Sequence, residues 1–213
     1  MSQKLEQTIP ANLQPQKAEK GALFKNKLLE KVTRAPIGVP VTMHILIVIG
    51  FLYYAFIYSH ISYLSIILLF LLGILSWTFI EYAVHRWVYH CHTNLKWLLK
   101  IQHVGHGIHH QHPRDPERLA MPPLPALILI SLFFGLFWLI GGSYAQAFFP
   151  GFLLGYVLYI SMHYAQHRYR APKFGPLKKL WKYHALHHYK YPETKAFGVS
   201  TTLWDHIFGT IPK

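Results

Sequence analysis

The stretch ISYLSIILLFLLGILSWTFIEYAVHRWVYH, residues 61 to 90, decides the fold. Residues 61–80 carry no charge and are rich in Leu, Ile and Phe. A helix needs ~20 apolar residues to cross a bilayer core, so the run reads as a transmembrane helix. Glu81, His85, Arg86 and His90 follow where such a helix would leave the hydrocarbon.

Three more apolar runs share the pattern, at residues 41–58, 124–140 and 144–162. Only SH separates the first from the second, and only GGS the third from the fourth. The runs therefore predict two helical hairpins. Packed as core helices of a soluble protein, they would leave little polar surface in a chain of 213 residues. The composition agrees: 14% of residues are charged, against about 25% in soluble domains. The expected fold is an all-α integral membrane protein, four transmembrane helices in two hairpins under a cytosolic histidine-rich helical cap.

The basic residues orient it. Of 21 Lys and Arg, seven lie in residues 1–38, five in 86–118 and nine from 168 onward. None lies at a hairpin tip, so all fall on one side, which the positive-inside rule makes cytosolic. That accounts for a net charge of +13 without nucleic acid as a partner, since the cations are not gathered with stacking aromatics. Cys91 is the only cysteine, which excludes an intrachain disulfide and cysteine-rich metal sites. The polar N-terminus shows no cleavable signal peptide, and the first apolar run reads as an uncleaved anchor. Residues 1–38 form a cytosolic N-terminal segment, disordered over 1–20 by composition, and 39–213 the membrane domain. Residues 22–34 read either as a short helix lying on an anionic membrane surface or as a solvated basic linker.

Ten of the 16 histidines fall into four groups on that same side. They are His85 and His90; His106, His109 and His110; His163 and His167; and His184, His187 and His188. Residues at i, i+3 and i+4 share a helix face, which fits the two triplets and the His163–His167 pair. His85 and His90 are five apart, so they either serve different metals or need the helix to end between them. Ten imidazoles are too many for one metal ion and suit two; the donor type suits Zn, Cu, Fe or Ni. His44, His60, His92 and His206 match no group and are read as non-ligands. His103 and His112 flank the second group as outer candidates. Glu81, four residues before His85, either orients a ligand ring through its other nitrogen or pairs with a base such as Arg86; Asp115 and Asp205 are similar candidates. Arg114 and Arg118 either hold a lipid headgroup or serve as positive-inside charges. Pro122 and Pro123 set the entry of the third run, and Trp77, Trp87 and Trp204 read as interface anchors.

The motifs FIEYAVHRWVYH, HGIHHQHPRDPERLAMPPLPA, HYAQH, KYHALHHY and FGVSTTLWDHIFGTIP together resemble the membrane fatty acid hydroxylase superfamily, in its fatty acid 2-hydroxylase branch. The resemblance implies a four-span core, a dimetal centre on the ten histidines, and O₂-dependent oxidation of an acyl chain. Two departures stand out. Family members often carry a fused cytochrome b5 domain, for which residues 1–38 are too short; the expected electron donor is thus a separate cytochrome b5- or ferredoxin-type protein. Family members also often have Asp three residues before the HxxxH pair, where this chain has Ile160.

An acyl C–H bond is strong and apolar, which calls for a redox metal. Two iron ions are expected, with zinc as a redox-inert substitute in purified protein. A site just outside the hydrocarbon favours attack at carbon 2 of a fatty acyl chain or sphingolipid acyl group. Competing readings are another dimetal lipid oxidase (a desaturase, or a sterol or carotenoid hydroxylase) and, with less support, a zinc membrane hydrolase or metal transporter. A transporter should carry ionisable groups in mid-membrane, and the centres of these runs have none. The expected location is a multi-pass protein of a bacterial inner membrane or the endoplasmic reticulum, with both termini and the active site cytosolic.

Overall fold

The apolar runs form helices because in hydrocarbon the backbone has no better partner than itself. The computed structural model describes residues 9–17 and 20–212. The expected disorder of residues 1–20 falls partly outside these. Residues 9–17 contain a 3₁₀ turn at Ala11–Leu13, with Leu13 buried and the Gln16 amide donating to the Gln111 carbonyl at 2.7 Å.

Among the described residues every regular element is helical. The α-helices are α1 (Lys27–Val32), α2 (Gly38–Tyr58), α3 (Tyr63–Val84), α4 (Lys96–Gln102), α5 (Ile108–Gln111), α6 (Pro123–Gly141), α7 (Ala145–Arg168), α8 (Pro176–Tyr189) and α9 (Leu203–Ile207). Three segments are long and apolar enough to cross a membrane: Gly38–Tyr58, Tyr63–Tyr89 and Pro123–Arg168. The third folds back on itself at a 3₁₀ turn, Gly142–Tyr144, which joins α6 to α7. Phe137 meets Phe148 at 4.9 Å and Phe133 meets Phe152 at 5.4 Å between ring centroids, so the two helices run antiparallel. α6 starts where Pro122 and Pro123 place it, with Pro123 in the first turn, a position that needs no backbone donor.

α7 is the centre of the bundle. It buries twelve residues, including Phe149, Phe152 and Tyr156, whereas α6 fully buries only Ala126. α3 lies alongside α7 in parallel, and small residues set how closely. A Cβ at Gly151 would lie 1.9 Å from the Phe70 carbonyl oxygen, and one at Gly73 would lie 2.2 Å from that of Phe148. Such approach lets apolar helices gain packing contacts that lipid cannot replace. Gly151→Leu is expected to force α3 and α7 apart and cost at least the ~1–3 kcal/mol typical of overpacking. A lowered thermal midpoint in detergent, with less protein recovered as monodisperse material, is the readout.

Trp77 was expected at the interface. It packs instead inside the bundle, its ring centroid 5.1 Å from those of both Phe152 and Tyr156. Trp87 is exposed, and the half-buried Trp204 donates from Nε1 to Thr78 Oγ1 at 3.0 Å.

Both α3 and α7 outrun their apolar stretches, α3 to Val84 and α7 to Arg168. These extensions carry His85, His163 and His167 to one end of the bundle, where the shorter elements gather.

Candidate metal centre

All ten grouped histidines meet at that end, in two sets. One is His85, His90, His106, His110 and His187; the other is His109, His163, His167, His184 and His188. Within each set one nitrogen per ring lies within 4.8 Å of the others. Nine of the ten residues are buried and His167 is half-buried. The sets abut: the rings of His110 and His188 stack at 4.2 Å.

Local winding explains the membership. After α3 the backbone continues as a π-helix over His85–Tyr89. Its i→i+5 repeat returns His90 to the side of His85, so the five-residue spacing serves one set, with ring centroids 4.9 Å apart. A second π-segment, His103–Gly107, leads into α5. Neither triplet presents all three rings to one site. Adjacent residues on a helix point about 100° apart, so His106 and His110 face one set and His109 the other. Likewise His184 and His188 face one set and His187 the other.

The ring nitrogens are arranged as lone-pair donors. His85 Nδ1 donates to the Phe197 carbonyl at 2.6 Å, His187 Nδ1 to that of Lys195 at 3.0 Å, and His163 Nδ1 to that of Leu119 at 3.4 Å. A carbonyl only accepts, so these contacts place the proton on Nδ1 and leave Nε2 with a lone pair. Two of those Nε2 atoms point at Nε2 of a neighbouring ring in the same set: His85 at His106, 2.9 Å away, and His163 at His109, 3.0 Å away. His187 Nε2 and both nitrogens of His90 are buried with no hydrogen-bond partner. Converging, desolvated lone pairs are costly unless a cation lies between them, and a soft-to-borderline divalent ion fits an all-imidazole donor set. The site thus has the character of a metal centre.

Burial, and next the neighbouring imidazoles, hold His90, His106, His109, His110, His184, His187 and His188 well below the ordinary imidazole range. Unfolded histidines take up protons near pH 6.5, while these stay neutral. Below that pH the unfolded chain therefore binds more protons, and stability is lost as pH falls. Each such group contributes up to about 1.4 kcal/mol per pH unit. Metal-free protein is expected to melt progressively lower from about pH 7 to about pH 5, and a scanning melt over that range checks it.

The outer candidates are placed differently from expectation. Glu81 does not orient a ring: Oε1 accepts from the amides of Val199 and Ser200 at 2.7 and 2.9 Å, and Oε2 meets Ser200 Oγ. Asp205 accepts from the amides of Phe197 and Gly198 at 2.9 and 2.8 Å, and from Thr210 Oγ1 at 2.6 Å. Burial pushes its carboxyl above the usual value, against these donors. Asp115 is fully buried, accepting from the Gly21 amide and Arg34 Nη1, each at 3.1 Å. Arg118, a candidate headgroup contact or positive-inside charge, is also buried. It pairs with Glu30 and donates to the Thr33 carbonyl at 2.9 Å. These two residues tie the segment around α1 to the turn before α6; both lie between histidine motifs in sequence, which is why they read as site residues. Arg114 and His103 are exposed, and His112 is buried against the N-terminal segment near Gly21. His60, His92 and His206 are exposed, and the buried His44 donates Nδ1–H to the Pro40 carbonyl at 2.7 Å.

Two aromatic residues at the site were not singled out from sequence. Tyr89 stacks on His106 at 5.1 Å, and Tyr159 on His163 at 5.6 Å. Tyr89 directly precedes His90 and Tyr159 lies one turn before His163, but aromatics are too common in this chain for that to single them out. A 390 Å³ groove lined by Ile47, Phe51, Tyr54, Phe134 and Gln146 lies remote from the histidines, toward the other end of the bundle.

Comparison with known proteins gives a consistent picture. Dihydroceramide fatty acyl 2-hydroxylase FAH1 of Arabidopsis thaliana is 42% identical over 142 residues, 66% of this chain and 59% of that protein. Fatty acid 2-hydroxylase of Mus musculus is 40% identical over 146 residues, 67% of this chain and 39% of that protein. The chain thus spans about three fifths or less of these relatives' lengths. The solved structure of full-length scs7p, in which only the hydroxylase domain is visible, superposes with a TM-score of 0.81 at 34% identity, covering 95% of this chain and 76% of that one. The fatty acid hydroxylase family model matches residues 70–210, the region that holds all ten clustered histidines, and the chain belongs to that family.

Proposed function

We propose that this membrane protein is a dimetal monooxygenase that hydroxylates carbon 2 of fatty acyl chains, free or within sphingolipids. The observation that carries it is the convergence of ten imidazoles in two adjoining sets of five, at the end of an apolar helical bundle. The relatives named above as fatty acid 2-hydroxylases support the choice of position. The overall reaction consumes O₂, two electrons and two protons, giving the 2-hydroxy acyl product and water. A cytochrome b5- or ferredoxin-type protein is the proposed reductant.

The ten histidines are the proposed ligands. Two iron ions held there would supply the redox chemistry that opens an unactivated C–H bond. The protein's part is to hold the rings neutral, aim their lone pairs inward and exclude water. The carbonyls of Phe197, Lys195 and Leu119 set the tautomers. The Leu119 carbonyl sits on His163 Nδ1, so this ring keeps an acceptor although Ile160, one turn before it, offers none.

α2, α3, α6 and α7 are proposed to cross the bilayer as two hairpins, with the histidines and both termini on the cytosolic side, in a bacterial inner membrane or the endoplasmic reticulum. His85 and His163 then sit just beyond the hydrocarbon, near an acyl headgroup, and carbon 2 lies next to it. Exposed Leu28, Leu29 and Val32 on α1, with Lys27 and Lys31 on the same short helix, suit a position on the membrane surface. Arg114 remains the proposed headgroup contact.

Expression in a host without 2-hydroxy lipids, followed by mass-spectrometric lipid profiling, tests the reading. Hydroxyl at carbon 2 is expected. An unchanged profile from folded, iron-loaded protein supplied with reductant would refute it.

A further inference from the structure

Two rings of one histidine set rest on a single short segment. His85 donates to the Phe197 carbonyl and His187 to that of Lys195. Residues 195–200 have no regular structure, yet Ala196, Phe197 and Val199 are buried. A buried loop must find partners for its amides. Here four consecutive ones go to two carboxylates: Phe197 and Gly198 to Asp205, Val199 and Ser200 to Glu81.

One peptide unit is held from both ends. Between Phe197 and Gly198, the N–H donates to Asp205 Oδ2 at 2.8 Å and the C=O accepts from His85 Nδ1 at 2.6 Å. The carboxylate thus bears on the ring through one amide. The approach requires glycine: a Cβ at Gly198 would sit 2.8 Å from Asp205 Oδ2 and 2.1 Å from the Thr201 carbonyl oxygen. Ala196, between the two ring-holding carbonyls, has φ 58°. This left-handed conformation is uncommon for alanine, and its amide is fixed on the Thr210 carbonyl at 2.8 Å. Strain of that kind persists where the surroundings over-determine it. Rings of the other set have no bond to this segment among those seen.

We propose that Asp205 is a positioning residue for His85, acting through the Phe197–Gly198 peptide, and so tunes one metal site selectively. This rests on the dimetal reading above. Metal-bound histidines ordinarily give their second N–H to a carboxylate or carbonyl directly. Here a carboxylate polarises the carbonyl that takes the proton. Hydrogen bonds in series strengthen one another, so His85 Nε2 becomes a stronger electron-pair donor than a bare carbonyl would make it.

The test uses full-length protein in detergent, loaded with Co²⁺ and titrated with a chelator, with metal per chain and the cobalt visible spectrum followed. Wild type should hold one ion per histidine set. In Asp205→Asn one equivalent should leave at about 10–100-fold lower chelator strength, the usual effect of outer partners. The second equivalent should stay, half of the cobalt spectrum should change, and Asp205→Glu should restore part of the loss. If Asp205→Asn does not fold, Thr210→Val removes the hydroxyl that donates to Oδ1 and also meets Tyr82 Oη at 3.0 Å; it should shift the same equivalent by a smaller factor, and Tyr82→Phe, which leaves the Oδ1 contact in place, should not. Unchanged affinity for both ions in a folded variant, or equal weakening of both, overturns the proposal. Wild type that binds no ions overturns the dimetal reading itself.

Discussion

His109→Ala is expected to abolish the 2-hydroxy product while leaving the helical bundle folded. His109 is central to its set: Nε2 lies 3.0 Å from His163 Nε2 and 3.1 Å from His188 Nε2, and its ring is 4.6 Å from that of His167. Removing it takes away a proposed ligand, whereas loss of an outer partner costs about 10–100-fold. Product should therefore fall by more than about 100-fold, together with bound metal, in lipid profiles and elemental analysis of the same preparation. His103→Ala is the control. That residue is exposed and belongs to neither set, so product should stay at the wild-type level. Wild-type product from His109→Ala would remove this imidazole from the chemistry.

Arg118→Ala should cost stability and not headgroup affinity. The guanidinium is buried, paired with Glu30 and bonded to the Thr33 carbonyl. Arg34 completes the network, meeting Glu30 at 2.9 Å and Asp115 and Glu117 at 3.1 Å each; burial works against its charge, but the carboxylates of Asp115, Glu117 and Glu30 hold its guanidinium above the usual value. Glu30 keeps its pairing with Arg34 at 2.9 Å, so the loss should fall below the ~3–5 kcal/mol that a fully stranded buried charge costs. A clear drop in melting temperature, with KM for the lipid unchanged at permissive temperature, is the expected outcome. Arg114→Ala should do the reverse, raising KM with little effect on melting. A raised KM and an unchanged melt for Arg118→Ala would restore it as a headgroup ligand.

The contrast between these two arginines shows what can be read in a linear chain. Both sit in the same motif, HGIHHQHPRDPER, and nothing local separates them. Burial and ion pairing with residues about 85 positions away separate them, and those depend on how the N-terminal segment folds back. Glu81 and Asp205 teach the same lesson. Their proximity to histidines in sequence suggested direct bonds to rings. Their oxygens instead accept from the amides of one buried loop, and only Asp205 shares a peptide with the carbonyl on His85.

The sequence by itself determined the helical class, the long apolar helices and the ten histidines that meet, because hydrocarbon length and imidazole chemistry are each written in local composition. Tertiary structure decided how those ten divide into two fives. That division depends on a π-turn that brings His90 back beside His85 and on the ~100° between adjacent helical residues, which sends neighbours such as His109 and His110 to different sets. It depends also on close glycine contacts between α3 and α7, which set where the ends of those helices meet. Ring direction is a property of packed helices in space, and spacing along the chain constrains it only within a turn.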